Sequence, residues 1–182
     1  MSVFVANEQT EQPVDEEGLA RLARLTMEAE GVEEAEVSIL LVDLAVMTQL
    51  NHRHLGEDRP TDVLAFPIDG PSPASGPPGG PAGPRGFSGD RYGDDVDEEL
   101  EDDEEEDEDD APWLLGDVVL CPGYAADQAR RAGQSLGAEL ELLTVHGILH
   151  LCGFDHAEPE DEREMRSRTE ELLSRWRSEA RP

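Results

Sequence analysis

Three of the five histidines in this 182-residue chain, His146, His150 and His156, fall within the eleven residues HGILHLCGFDH. On a helix, His146 and His150 stand four positions apart and project from one face, about 5 to 6 Å apart at Cβ. That spacing lets two imidazoles share one ion. Gly153 follows, and glycine takes a positive φ without a steric penalty, so the chain can turn sharply there and bring His156 back toward the same point. Three neutral imidazoles with a fourth position open are the donor set of a catalytic zinc site. Such a site lowers the pKa of a bound water toward neutrality. Asp155, beside the third histidine, is a candidate to orient a histidine or to accept a proton; its plainer role is to support the turn.

The plain alternative is a helix end that is histidine-rich by accident. An i, i+4 pair alone is a weak signal; the third histidine, the glycine and the aspartate between them favour a metal. Cys152 is a tempting fourth ligand, but two positions after His150 it faces elsewhere, where a cysteine packs as a small hydrophobe. The spacing H-x-x-x-H-x-x-G-x-x-H is also that of metzincin proteases, which carry Glu directly after the first histidine as general base. Here that position is Gly147. The chemistry therefore relies on another base or on the metal site alone.

The metal helix needs a scaffold. Ala138 to Leu151 reads as the helix that carries the pair, with Gly153 placed to end it. Val3 to Ala6 reads as an edge strand. Val14 to Glu30 reads as a helix, with Leu19, Leu22, Leu25 and Ala29 at helical spacing and Gly31 as its stop. Glu36 to Val42 is apolar and rich in β-formers and reads as a central strand. Asp43 is placed to cap a helix to about His54, with Leu44, Met47 and Leu50 on one face. Asp62 to Phe66 and Leu114 to Cys121 read as two further strands. Pro122 suits the first turn of a helix through about Ala132. A last, highly charged helix runs from Pro159 to about Ser178, with Met165, Leu172, Leu173 and Trp176 as its buried stripe. Strands and helices alternate irregularly, which predicts an α+β fold: a small mixed sheet of about four strands packed with helices, the metal site at the end of a central helix.

One stretch does not fit a core. From about 69 to 112 the chain is first Pro-, Gly- and Ser-rich and then acidic, and Asp90 to Asp110 carries 16 Asp and Glu against one Arg. It reads as a disordered insertion into a single domain spanning 1–182, because it lacks the apolar surface to offset its ordering entropy. The formal net charge is -30, and all 14 basic residues are arginine. A polyanion is repelled at long range by such a chain, so a nucleic-acid function requires a locally positive groove or a metal. Two cysteines do not suggest a disulfide framework, no stretch approaches the length of a membrane span, and the first residues do not read as a signal peptide. The expected location is the cytoplasm.

HGILHLCGFDH closely resembles the signature of the YbeY family, the bacterial rRNA maturation factors described as metal-dependent endoribonucleases. PTDVLAFP (Pro60 to Pro67) resembles the strand motif of that family, and LLGDVVLCP (Leu114 to Pro122) resembles its G-D-I strand. The order and spacing of all three agree once the acidic segment is set aside. The resemblance implies a metal, one zinc per chain, held by His146, His150 and His156. It implies cleavage of single-stranded RNA in maturation of the 3' end of 16S rRNA, a role in ribosome quality control, and partners among ribosomal RNA, ribosomal proteins and assembly GTPases. Many members carry an Arg before the glycine upstream of the T-D-V motif, where this chain has Leu55 before Gly56. Arg53 and Arg59 are the nearby candidates to engage RNA phosphates, and Arg130 and Arg131 are further ones; for each, a solvated surface side chain is the plainer reading. Thr61 and Asp62 are candidates to line the site, or to shape a turn. Two other readings stay open: a non-catalytic ribosome assembly factor with a metal site, and a metal-dependent hydrolase of another substrate.

Overall fold

The computed structural model describes residues 1–32, 34–68, 113–154 and 158–179. The segment read as an insertion, Asp155 and His156 lie outside the described residues.

Among the described residues four strands form one sheet: β1 (Ser2–Asn7), β2 (Ala35–Leu41), β3 (Val63–Pro67) and β4 (Trp113–Leu120), in the order β1-β2-β4-β3. β1, β2 and β4 are parallel and β3 runs antiparallel on the β4 edge, so the sheet is mixed. Residues of β2 alternate strictly: Ala35, Val37, Ile39 and Leu41 are buried, while Glu36, Ser38 and Leu40 between them are only partly so. That period of two is the pleat of a strand with one face in the core.

The described residues also form five helices: α1 (Glu16–Ala29), α2 (Leu44–Leu55), α3 (Pro122–Ala132), α4 (Leu136–Leu151) and α5 (Pro159–Glu179). The main core lies between the sheet and helices α1 and α4, with Met27, Ile39, Val118 and Ile148 at its centre. On the other side of α4, Val145 and Leu149 meet Leu22 and Leu25 of α1 and Met165 and Leu172 of α5. The helix carrying the histidine pair is thus apolar around most of its girth, as a central helix must be. Helix α2 covers the opposite sheet face, where Met47 packs with Leu64, Val119 and Cys121.

Local signals account for the ends. The Asp15, Asp43 and Ser135 side chains accept hydrogen bonds from the amides of Gly18, Val46 and Ala138, capping α1, α2 and α4. Because Ser135 is the cap, α4 begins at Leu136, two residues before the expected start. The expected apolar face of α2 needs correction. Met47 is fully buried and Leu50 partly, but Leu44 is 40 % exposed. Only Met47 and Asn51, one turn apart, face fully inward, while Leu44 in the first turn lies beside Gly123 at the head of α3. In α5, Met165, Thr169, Leu172 and Leu173 are buried, whereas Trp176 is partly exposed and donates its indole N–H to Glu141.

β4 contains a bulge. Leu114 pairs with Glu36 but Gly116 pairs with Val37, leaving Leu115 as the extra residue. Gly116 has φ +145°, and a Cβ there would lie 2.3 Å from the Phe66 carbonyl oxygen. The glycine of the LLGDVVLC stretch is a backbone requirement of the β3–β4 pairing. Among the described residues, no helix is long and apolar enough to cross a membrane.

Candidate metal centre

His146 and His150 lie in the last two turns of α4, both partly exposed on a helix that is otherwise largely buried. Their ring centroids are 4.7 Å apart and the rings are nearly perpendicular, at 87°. The sequence spacing therefore becomes real proximity: two imidazoles at one rim of the helix, close enough to share an ion. Nitrogen donors of this kind suit zinc.

The helix then closes as expected. Gly153 has φ +93°, its amide donates to the His150 carbonyl, and the Phe154 amide donates to Leu149. Phe154 packs into the cluster between α1, α4 and α5, which anchors the outgoing chain. Chain direction resumes at Glu158, whose carbonyl accepts from Glu162 at the head of α5. Asp155 and His156 belong to the three-residue link between these two fixed points. Cys152 is partly buried against the main core, and burial pushes its thiol up to about 12. It packs as a hydrophobe there.

Gly147 is explained by its neighbour on the sheet. A Cβ at this position would lie 2.6 Å from Val118 Cγ1 and 3.1 Å from Cγ2. Helix α4 meets β4 backbone to side chain at this point. The Glu that metzincin proteases carry after their first histidine has no room here.

The other candidates sit on and after α2. Arg53 is exposed in its last turn and makes no ion pair with the described residues. Leu55 is exposed, and Gly56 ends the helix with φ +72°. The following loop folds back on the helix end. The Gly56 amide donates to the His52 carbonyl, His52 Nδ1 lies 2.7 Å from Asp58, and the Asn51 side-chain amide donates to the Arg59 carbonyl at 2.7 Å. Arg59 itself is ion-paired with Glu57 at 2.7 Å. The hydrogen bond and charge of Arg59 lower the Glu57 carboxyl pKa, and Glu57 raises that of the guanidinium. Neither Arg53 nor Arg59 bonds to the histidine pair. Arg130 is tied to Asp127 and to the Ala126 carbonyl, and Arg131 is exposed. Asp62 accepts from the Val63 amide and the Thr61 hydroxyl, so these two residues shape the entry to β3.

Asn51 and His54 are absent from the sequence-based candidates. Asn51 is an asparagine at an inward helical position beside Met47, where a polar residue must have a partner. His54 rests on Phe66 with ring centroids 4.6 Å apart. The available signal is that the two remaining histidines, His52 and His54, flank Arg53.

A family model described as endoribonuclease YbeY matches residues 4–177. The chain belongs to the YbeY family. Curated members of similar length agree with it throughout. The endoribonuclease YbeY of Salinispora tropica is 46 % identical over 98 % of this chain and 98 % of its own. That of Thermobifida fusca is 46 % identical over 97 % and 95 %, and that of Acidothermus cellulolyticus 44 % over 100 % and 94 %. Among solved structures, the solution structure of TM1509 from Thermotoga maritima superposes with a TM-score of 0.52 over 98 % of this chain and 93 % of that one, at 23 % identity. At that identity the likeness speaks for the fold, and the α+β architecture with a four-stranded mixed sheet agrees with it. The YbeY motifs thus acquire physical meaning: the histidine stretch forms the paired rim of α4, and the G-D strand supplies the bulge glycine beneath it.

Proposed function

We propose that this chain is a zinc-dependent endoribonuclease specific for single-stranded RNA, acting in maturation of the 3' end of 16S rRNA and in ribosome quality control. Membership of an endoribonuclease family supports the reaction class. The pairing of His146 and His150 at 4.7 Å is the single observation that carries the metal.

In this reading His146, His150 and His156 hold one zinc ion, with His156 delivered by the turn at Gly153. When bound there, zinc supplies water activation and draws charge from a phosphoryl oxygen. Asp155 orients a neighbouring imidazole or accepts a proton. Arg53 and Arg59 meet phosphates of the RNA, Arg59 by exchanging its Glu57 partner for the phosphate. Ribosomal proteins and assembly GTPases of the small subunit are the expected partners, and the cytoplasm is the expected compartment.

The test is metal content by mass spectrometry together with cleavage of a labelled single-stranded RNA, for wild type and His150→Ala. Near-stoichiometric zinc and cleavage in the wild type, both lost in the variant, are expected. Zinc without cleavage above the variant's background would replace the reading with a metal-bearing assembly factor.

A further inference from the structure

We propose that His54, backed by Phe66, is a stacking platform for one unpaired RNA base, with Arg53 beside it on the adjoining phosphate. The inference rests on the RNA-cleaving reading above and adds a binding site on the opposite side of strand β3 from the histidine pair.

In a chain of net charge -30, few places can meet a polyanion. The last turn of α2 is one, because His52, Arg53 and His54 follow one another there. Their situations differ. His52 is held by Asp58 at 2.7 Å. Arg53 is exposed and makes no ion pair with the described residues. His54 is exposed, and its ring lies on Phe66 at 4.6 Å and a tilt of 53°. Phe66 is itself fixed, since it packs with Met47, Leu64 and Val119 between α2 and the sheet. A solvent-exposed aromatic ring mounted on a partly buried one, with a guanidinium on the preceding residue, is the combination that binds single strands: bases stack on aromatic faces, histidine included, and phosphates pair with arginine.

The platform is also linked to α4. The Phe66 carbonyl oxygen and Leu151 Cδ2 both lie within 3 Å of the position a Cβ on Gly116 would take. Leu151 directly follows His150. Edge strand β3 therefore stands between the His54 ring and the histidine end of α4, and nothing is hydrogen-bonded to its outer edge among the described strands. A single strand crossing that edge would run from the His54 ring toward the histidine end of α4.

The experiment uses the full chain and short single-stranded RNAs carrying 2-aminopurine at successive positions. In wild type, one position should show quenching on binding, the signature of a stacked base. His54→Ala should lose that quenching and raise KM on the order of tenfold, with kcat, zinc content and thermal unfolding as in wild type. His54→Phe keeps a ring without a charge and should restore both quenching and KM. Unchanged KM in His54→Ala, or failure of His54→Phe to restore it, overturns the platform while cleavage by wild type leaves the enzyme reading standing. Wild type that neither binds nor cleaves single-stranded RNA overturns both.

Discussion

Gly147 and Val118 touch where α4 crosses β4: there is no room for even a methyl group between the helix backbone and the valine side chain. The position that follows His146 is therefore set by packing. Gly147→Ala should lower stability by about 1 to 2 kcal/mol, because overpacking outweighs the roughly 1 kcal/mol gained in helix propensity. In a Val118→Ala background the same change should be neutral or stabilising. Chemical denaturation of the four proteins gives the coupling directly, and additive effects would refute the contact.

Gly116 makes a parallel demand on β4. Its φ of +145° and the approach of the Phe66 carbonyl leave no place for a side chain. Gly116→Ala should cost about 2 kcal/mol or more. It should also loosen β3, which hydrogen-deuterium exchange at Leu64 and Phe66 would report as faster than in wild type.

Arg168 fastens α5 to the end of α1. Its guanidinium reaches Glu30 at 2.7 Å and the Ala29 carbonyl at 2.9 Å, with side-chain exposures of 27 % for Arg168 and 12 % for Glu30. Arg168→Met keeps the stem but removes these two bonds and a third to Glu171, and should cost about 1 to 3 kcal/mol by denaturant unfolding. A loss below a few tenths would show that the pair only decorates the surface.

Cys121 is fully buried at the start of α3, and that burial is the main reason its thiol pKa is raised above the ordinary 9.0. A raised pKa means that the folded state holds its proton at pH values where the unfolded chain has released it. Stability from this group is complete below pH 9 and is lost as pH rises through the folded value. Wild type should therefore lose stability above pH 9 more steeply than Cys121→Ala, and identical alkaline slopes would contradict this.

If Arg59 meets an RNA phosphate as proposed, Glu57, its ion-pair partner, competes with that phosphate. Glu57→Gln should tighten single-strand binding, roughly twofold to fivefold at low salt, by releasing the guanidinium. The double variant Glu57→Gln with Arg59→Ala should bind no better than Arg59→Ala alone. Binding isotherms across a salt series would show the effect shrinking as ionic strength rises.

Much of this molecule is legible from sequence because its signals are local. The cap at Asp43, Pro122 at the head of α3, the stop at Gly153 and the apolar, β-forming run of β2 each depend on a few adjacent residues, whereas the cap at Ser135 starts α4 two residues before the expected position. The i, i+4 spacing of His146 and His150 likewise becomes a 4.7 Å pair through helix geometry alone. What required the tertiary structure is what the chain encodes only through distant contacts. Leu44 resembles Met47 in sequence, yet only the crossing of α2 over the sheet decides which is buried. The reasons for Gly147 and Gly116 lie on other elements, in Val118 and Phe66. The seat of His54 on Phe66 and the tie from Asn51 to Arg59 join residues 12 and 8 positions apart. Such contacts have no period in the sequence; they exist only once α2 and β3 have packed together.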